Sequence, residues 1–277
     1  MPRTGEIVLT RWRPGTDPAD LSAALFDGAV VVFRELPAVR AMAEVARSIV
    51  RGLFGTDDPP GAESLVAASD YRRLAIRARN QVADDPVVRR EWRNVLTAVG
   101  YSPDSTWLDR VRLRVVPSRD DVDHRRLSPL PPHRDTWASR IMAQVNWWLP
   151  LYPLCETNTM VLWPDAFCSP VANDSAEWDF EEFNRAGRDY PLLPTAAYPE
   201  KPGTPVLIEP DDLLGFSAAH LHAGCRDASG RTRFGIDSRT VWEPDRRAGR
   251  SALDVDGSPG TEMWAWFEAP QVAGVRG

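Results

Sequence analysis

Pro131-Pro132-His133-Arg134-Asp135-Thr136-Trp137 places an imidazole and a carboxylate two residues apart, just ahead of a run over 140–149 that alternates apolar and polar residues. Side chains at i and i+2 of an extended chain leave the same face. An extended segment would therefore let His133 and Asp135 approach one metal ion from one side. A turn can also use His-x-Asp for capping, so the pair means a metal site only if the rest of the chain supplies a third ligand.

From Trp107 onward the hydrophobic period is two. In 140–149, Ile141, Ala143, Val145, Trp147 and Leu149 alternate with Arg140, Met142, Gln144, Asn146 and Trp148. In 110–116, Val111, Leu113 and Val115 alternate with Arg110, Arg112 and Arg114. In 232–240, Phe234 and Ile236 alternate with Arg233, Gly235, Asp237 and Arg239. Each run predicts a strand with one apolar and one polar face. A sheet with its polar face in water fits this pattern, and so does a barrel whose polar face lines an interior. Trp148 and Met142 on the polar face, with Gly235 leaving room between Arg233 and Asp237, favour the enclosed pocket.

The first hundred residues have a different period. Short strands are predicted over 7–13 and 29–34, and Pro37 opens a helix to about Phe54 with Val39, Met42, Val45, Ile49 and Leu53 at helical spacing. A loop over 57–62 precedes helices over 64–80 and from Pro86 to Val99, the latter stopped by Gly100. Beyond 149, the pattern predicts a strand ended by Pro164 and a helix opened by an Asp174–Glu177 capping box, running to about Arg185. Pro-rich loops over 191–204, strands over 206–208 and from Leu213 to His222, and a hairpin turn over 227–230 follow. The patch Met263-Trp264-Ala265-Trp266-Phe267 is either a docked C-terminal helix or an interface.

With 277 residues, 43% hydrophobic and 26% charged, and no internal repeat, the chain predicts a single domain with a substantial core. It divides into a helical and mixed layer over 1–104, a β core over 105–242 with an excursion over 165–204, and a tail over 243–277. A net charge of −6 disfavours nucleic acid or an anionic membrane as partner and leaves a small-molecule substrate. Cys155, Cys168 and Cys225 are odd in number and widely spaced, which fits neither a disulfide framework nor a Cys-x-x-Cys metal pair. There is no leader-like segment and no bilayer-length apolar run, so a soluble, cytoplasmic protein is expected. Lys201 is the only lysine among 33 basic residues, a bias typical of GC-rich genomes that suggests a bacterial source.

Four histidines are available. His124 lies in a charged loop over 119–126, whereas His220 and His222 end the run Phe216-Ser217-Ala218-Ala219-His220-Leu221-His222 on one face. His133, Asp135 and one of these two would complete the two-His-one-carboxylate set of non-haem Fe(II), which leaves three positions for a bidentate cosubstrate and O2. O2 activation needs electrons, which a 2-keto acid chelated to iron can supply. Its far carboxylate then requires a fixed cation, a task suited to the planar fork of Arg. Arg233 lies on the polar face of the next strand.

On these residues the chain resembles the iron(II)- and 2-oxoglutarate-dependent oxygenases, in particular the phytanoyl-CoA-hydroxylase-like branch, over roughly residues 105–242. The resemblance includes His133-x-Asp135, the strand ending Trp148-Leu149-Pro150, and the segment from Glu156-Thr157-Asn158 to Trp163-Pro164. It also includes the turn and strand from Asp212 to Phe216, the distal His, a Ser-Gly turn and the Arg. It implies a double-stranded β-helix (jelly roll) and Fe(II), 2-oxoglutarate and O2 as cofactors. It further implies His133, Asp135 and the distal His as metal ligands, Arg233 as the cosubstrate cation, and Gln144 or Asn146 as a hydrogen-bond partner of 2-oxoglutarate. The family's Arg follows the distal His by eleven residues, a spacing that pairs Arg233 with His222 and Arg231 with His220. The small pair Ala223-Gly224 after His222, and Gly235 beside Arg233, favour His222, with His220 as the alternative. Two positions depart from the family pattern: Asp211 stands in place of Gly and Asp227 in place of Asn. The presence of Asp135 argues against the halogenase variant, in which a small residue replaces the carboxylate.

The implied activity is that of a dioxygenase oxidising an unactivated C–H bond of a small molecule in bacterial natural-product biosynthesis. Hydroxylation is its simplest outcome, with desaturation, cyclisation or epimerisation as alternatives. Arg112, Arg140 and Arg239 are candidates for a substrate carboxylate or for pairing with Asp237 and other acids. The rivals are another metal-dependent jelly-roll enzyme, such as a cupin-like isomerase or a cofactor-independent dioxygenase, and a non-catalytic binding module. Arg233 separates the first rival, because those enzymes need no buried cation for a keto-acid tail.

Overall fold

The computed structural model describes residues 9–122, 124–186, 190–225 and 230–270. In chain order the elements are β1 (Leu9–Arg11), α1 (Pro18–Phe26), β2 (Val30–Phe33), α2 (Pro37–Phe54), α3 (Ala68–Asp84), α4 (Pro86–Val99), β3 (Thr106–Asp109), β4 (Arg112–Val116) and α5 (Asp135–Ser139). There follow β5 (Gln144–Pro150), β6 (Met160–Leu162), α6 (Phe180–Ala186), β7 (Thr204–Pro205), β8 (Leu213–Ser217), β9 (His222–Gly224), β10 (Arg233–Trp242), α7 (Glu243–Ala248) and β11 (Phe267–Glu268).

The strands form two sheets. The larger runs β1-β2-β8-β5-β10-β3-β11, with β4 beside the first half of β10, and the smaller runs β7-β6-β9. All pairings are antiparallel except β1 with β2. Period-two alternation divides the large sheet between two cores. Val31, Phe33, Leu113, Val115, Val145, Trp147, Leu149, Phe234 and Ile236 share one buried cluster with residues of α1 to α4. The opposite face places Val30, Val32, Trp148, Leu214 and Phe216 against Met160 and Leu162 of the small sheet. A one-residue register slip would exchange these faces, so the adjacent Trp147 and Trp148 pin the register of β5.

The helices follow their local signals. Asp85 caps α4 by accepting from Val87 N and Val88 N at 2.8 and 3.1 Å, and Gly100 ends it at φ 105°. The helix buries Val88, Trp92, Val95, Leu96 and Val99, each large aliphatic contributing about 1.5–3 kcal/mol. In α2 the buried face is Val39, Met42, Ala43, Ala46 and Val50, while Val45, Ile49 and Leu53 are only partly buried at its margin. Among the described residues no helix is long and apolar enough to cross a membrane.

Several expectations need correction. The helix expected over 64–80 is α3, shifted to Ala68–Asp84, and the loop expected over 57–62 carries a 3-10 turn, Pro59–Ser64. Nine-residue α1, capped by Asp17 onto Ala19 N, is too short to show its periodicity. The strand expected over 140–149 starts only at Gln144, because one turn of helix, α5, and a left-handed Arg140 (φ 58°) come first. Asp174 opens no helix; it accepts from Thr195 N, and Asp179 caps α6 through Glu182 N at 2.8 Å. The strand expected over 206–208 lies earlier, as β7 at Thr204–Pro205, with Val206 and Ile208 buried just beyond it. The single strand read from Leu213 to His222 is two, β8 and β9, which belong to different sheets and are separated by a turn closed by His220 N to Ser217 O at 3.0 Å. The aromatic C-terminal patch docks as a 3-10 turn, Trp264–Trp266, and then as β11 paired to β3. Of the hairpin turn expected over 227–230, residues 227–229 lie outside the described residues.

Candidate metal centre

His133, Asp135 and His222 reach one point from three different local structures. His133 and His222 face each other in an isolated antiparallel bridge, each backbone N–H donating to the other's carbonyl at 2.9 and 3.0 Å. This bridge holds the two imidazoles with ring centroids 4.1 Å apart. Asp135 does not share an extended strand with His133, as the i, i+2 argument assumed; it is the first residue of α5. The bend turns its carboxylate back, so that Oδ1 lies 3.9 Å from His133 Nε2. Candidate ligand atoms of all three residues lie within 4.8 Å of one another, and all three side chains are buried.

The residue between the pair fixes the bend. Arg134, 1% exposed, donates to the carbonyls of Ala219, Ala166 and Ser169 and to the Asp256 carboxylate. Trp137 Nε1 donates to the same Asp256 at 2.7 Å. The motif is thus tied to the β8–β9 turn, to the start of the excursion and to the C-terminal tail. None of these contacts is local in sequence.

The hydrogen bonds of the two imidazoles select their tautomers. His133 Nδ1 lies 2.7 Å from Pro131 O, and His222 Nδ1 lies 3.0 Å from His220 O. A carbonyl accepts only, so each Nδ1 carries the proton and each Nε2 lone pair is left for a ligand bond. Burial, reinforced by the facing His222, pushes His133 down to about 3, and burial also lowers His222. Both rings are therefore neutral near pH 7, the form that binds metals. Burial, the largest single influence, would raise the Asp135 carboxyl, but Arg239, His133, His222 and Arg114 together outweigh it and hold the group below the usual carboxylate range.

Both Asp135 oxygens are held. Oδ1 accepts from Arg239 Nη2 at 2.9 Å and Oδ2 from Asn146 Nδ2 at 2.6 Å. Arg239 is itself held by Asp109 at 3.5 Å and stacks over Trp266 at 5.5 Å. Asn146 Oδ1 accepts from Gln144 Nε2 at 2.9 Å, and Gln144 Oε1 is buried with no partner. Of the two amides considered as cosubstrate contacts, Asn146 lines the cavity with its amide engaged by Asp135, while Gln144 stands one step behind it. Arg112 pairs with Asp109, and Arg140 donates to Ser258 O, outside the cavity lining. The periodicity placed Arg239 and Asn146 on the polar face, but nothing in it shows that both aim at Asp135.

His220 lies elsewhere. The turn after β8 swings it away, so that its ring nitrogens face Ser217 O at 3.1 Å and Gly28 O at 3.2 Å, and the ring packs on Phe167. His124, also outside the cluster, accepts from Arg126 N through its own ring.

A cavity open at its mouth is lined by the three candidate ligands together with Asn146, Trp148, Arg233 and Arg239. Arg233 is 8% exposed, no carboxylate among the described residues pairs with it, and its Nε has no hydrogen-bond partner. Burial pushes it down to about 10, which leaves it cationic at neutral pH. Arg231, the spacing alternative, pairs with Asp58 at the surface instead. The cavity also holds the pair Arg114–Asp237 at 2.9 Å, a contact between facing strands that one-strand periodicity does not reveal.

The donor set suits a divalent cation: two neutral imidazole nitrogens and one carboxylate, all buried and converging. The unpartnered Arg233 suits a carboxylate-bearing ligand beside it.

No protein-family model matches the chain, and no curated protein matches it. Among solved structures it is similar to the epimerase SnoN in complex with Fe3+, alpha ketoglutarate and nogalamycin RO, at 16% identity and a TM-score of 0.44, covering 94% of this chain and 98% of that one. It is similar to EvdO2 from Micromonospora carbonacea var. aurantiaca complexed with 2-oxoglutarate, at 12% identity and a TM-score of 0.39, covering 68% and 69%. It is also similar to EvdMO1, at 17% identity and a TM-score of 0.36, over 58% of this chain but only 32% of that chain's length. The side-chain geometry of this chain, rather than these distant likenesses, carries its functional reading.

Proposed function

We propose that this chain is a non-haem Fe(II)- and 2-oxoglutarate-dependent oxygenase of the double-stranded β-helix class, acting on a small molecule as one catalytic domain. The observation that carries the proposal is one cavity holding both a buried His133–Asp135–His222 cluster and a buried Arg233 that pairs with no carboxylate among the described residues.

His133, Asp135 and His222 would hold the iron, and Arg233 would hold the far carboxylate of 2-oxoglutarate. When bound, iron and the keto acid supply O2 activation coupled to loss of CO2, which oxidises an unactivated C–H bond of the substrate. This chain's residues orient the participants and exclude water. The two backbone carbonyls at Pro131 and His220 hold each imidazole in its Nδ1–H tautomer. Arg239 and Asn146 keep Asp135 anionic and fixed in rotamer. Phe216 and Met160 wall the cavity with apolar surface. The excursion's aromatics Trp178, Phe180 and Phe183 belong to one hydrophobic cluster with Leu130, which itself lines the cavity. That cluster supports a lid over a small-molecule substrate. Hydroxylation is the default outcome, and bacterial natural-product tailoring is the setting the reading favours.

The test is Fe(II)-dependent release of succinate from 2-oxoglutarate. Release by the wild type and its loss in Arg233→Ala support the reading. Release that Arg233→Ala leaves unaltered would point to the rival metal-dependent jelly-roll enzymes, which need no buried cation.

A further inference from the structure

The helix that carries Asp135 is one turn long, Asp135–Ser139, and Arg134 at its start gives it no side-chain cap. So short a helix does not hold itself, and its orientation comes from tertiary contacts. Two of those contacts end on one carboxylate far along the chain. Asp256 Oδ1 accepts from Trp137 Nε1 at 2.7 Å, and Oδ2 accepts from Arg134 Nε at 3.1 Å. The two residues so held bracket Asp135, one before it and one two positions after it. Arg134 also lies over the Trp137 ring at 5.8 Å, so the three side chains pack as one unit.

Asp256 stands in an unlikely place for a buried charge. Its side chain is 6% exposed, yet the stretch 250–263 contains no helix or strand. That stretch runs as a strap beside the start of the β5 segment: Ala252 N donates to Met142 O at 3.2 Å and Met263 N to Ser139 O at 2.8 Å. It is laced to the excursion as well. Asp256 Oδ2 also accepts from Val171 N at 2.9 Å, and the Asp256 carbonyl accepts from Asn173 Nδ2 at 3.1 Å. Among the described residues Asp256 is the one carboxylate within 4 Å of the Arg134 guanidinium, whose other donors go to backbone carbonyls. Without it a buried cation is left uncompensated. Arg134 then has to turn toward water, and Asp135 is its covalent neighbour.

We propose that Asp256 is a positioning residue of the metal centre: through Arg134 and Trp137 it sets where the Asp135 carboxylate stands, so the tail outside the β core completes the site. The inference rests on the reading of His133, Asp135 and His222 as metal ligands. It gives the 250–263 strap a role that its lack of regular structure does not suggest.

The experiment uses the full chain and Co(II) alone, with no keto acid. Equilibrium dialysis gives affinity, the visible d–d spectrum reports the ligand geometry, and thermal melting reports stability. Asp256→Asn keeps the shape and removes the charge. It should weaken Co(II) about tenfold, the lower end of the range for partners of metal ligands because it acts at one remove, and shift the d–d bands. Asp245→Asn is the control. It breaks another buried ion pair of the C-terminal segment, Asp245 with Arg250 at 2.8 Å, which shares no hydrogen bond with the motif. It should lower the melting temperature and leave both Co(II) readouts at wild-type values. Trp137→Phe, which deletes one donor to Asp256 and keeps a ring, should shift the bands in the same direction and carries the test if Asp256→Asn does not fold. Wild-type affinity and spectrum in Asp256→Asn, or in Trp137→Phe where it stands in, would overturn the proposal. Equal weakening in Asp245→Asn would do so too, because the effect would then be general destabilisation. A wild type that binds no Co(II) sinks the metal reading itself, and the proposal with it.

Discussion

Arg239 Nη2 donates to Asp135 Oδ1 at 2.9 Å, from a guanidinium that Asp109 and the Trp266 ring hold in place. A candidate metal ligand is thus held by a cation whose own anchors lie on β3 and in the C-terminal patch. The tail does more than cover an edge of the sheet: through Trp266 and Arg239 it reaches the site.

Arg239→Gln should therefore lower divalent-metal affinity by about ten- to a hundredfold, the usual cost of losing a partner of a metal ligand. Competition with a chromophoric chelator measures it. Arg239→Lys should fall between the two, because it restores the charge without the fork. Unchanged affinity in Arg239→Gln would detach Arg239 from the site.

His222 and His220 should behave as different kinds of residue. His222→Ala should abolish stoichiometric metal binding. His220→Asn should keep it, while lowering the melting temperature because the contacts with Gly28 O, Ser217 O and Phe167 are disturbed. Equilibrium dialysis with Co(II) alongside thermal melting separates the two. Metal loss in the His220 variant with retention in the His222 variant would reverse the assignment.

Asp211 adopts φ 71°, in the left-handed region that favours glycine, and pairs with Arg47 at 2.7 Å. Asp211→Gly relieves the backbone cost while losing the ion pair, so it should stay within about 1 kcal/mol of wild type. Asp211→Ala loses the pair and keeps the strain, and should be less stable than Asp211→Gly by about 1 kcal/mol. Urea denaturation of the two variants gives the order, and the reverse order would show that the loop does not hold this conformation in solution.

How far the sequence could be read depended on the range of the interactions involved. The helix Pro37–Phe54 and the helix after Asp85 were legible because caps, prolines and periodicity are local signals. The alternation of Trp147 with Trp148, and of Arg233 with Phe234, anticipated which residues face which core. His133, Asp135 and Arg233 were nameable because the chemistry restricts the residue types. What stayed illegible was non-local. His220 and His222 read as one face of one strand until the chain was seen to change sheets between them, a turn set by packing against Gly28 and Phe167. Likewise the contact of Asn146 with Asp135 had no local signal, because only the folded chain brings Asp135 over β5. The bend at α5 had no signal of its own; Arg134 makes it through partners on three distant segments.

The central claim is that His133, Asp135, His222 and Arg233 form one site for iron and a keto acid. Its most direct measurement is the visible absorption spectrum of the anaerobic protein on addition of Fe(II) and then 2-oxoglutarate. A charge-transfer band that needs both additions, and that is lost in His222→Ala and in Arg233→Ala at modest 2-oxoglutarate, is the predicted result. A wild-type spectrum that stays featureless with Fe(II) bound and 2-oxoglutarate saturating would contradict the account.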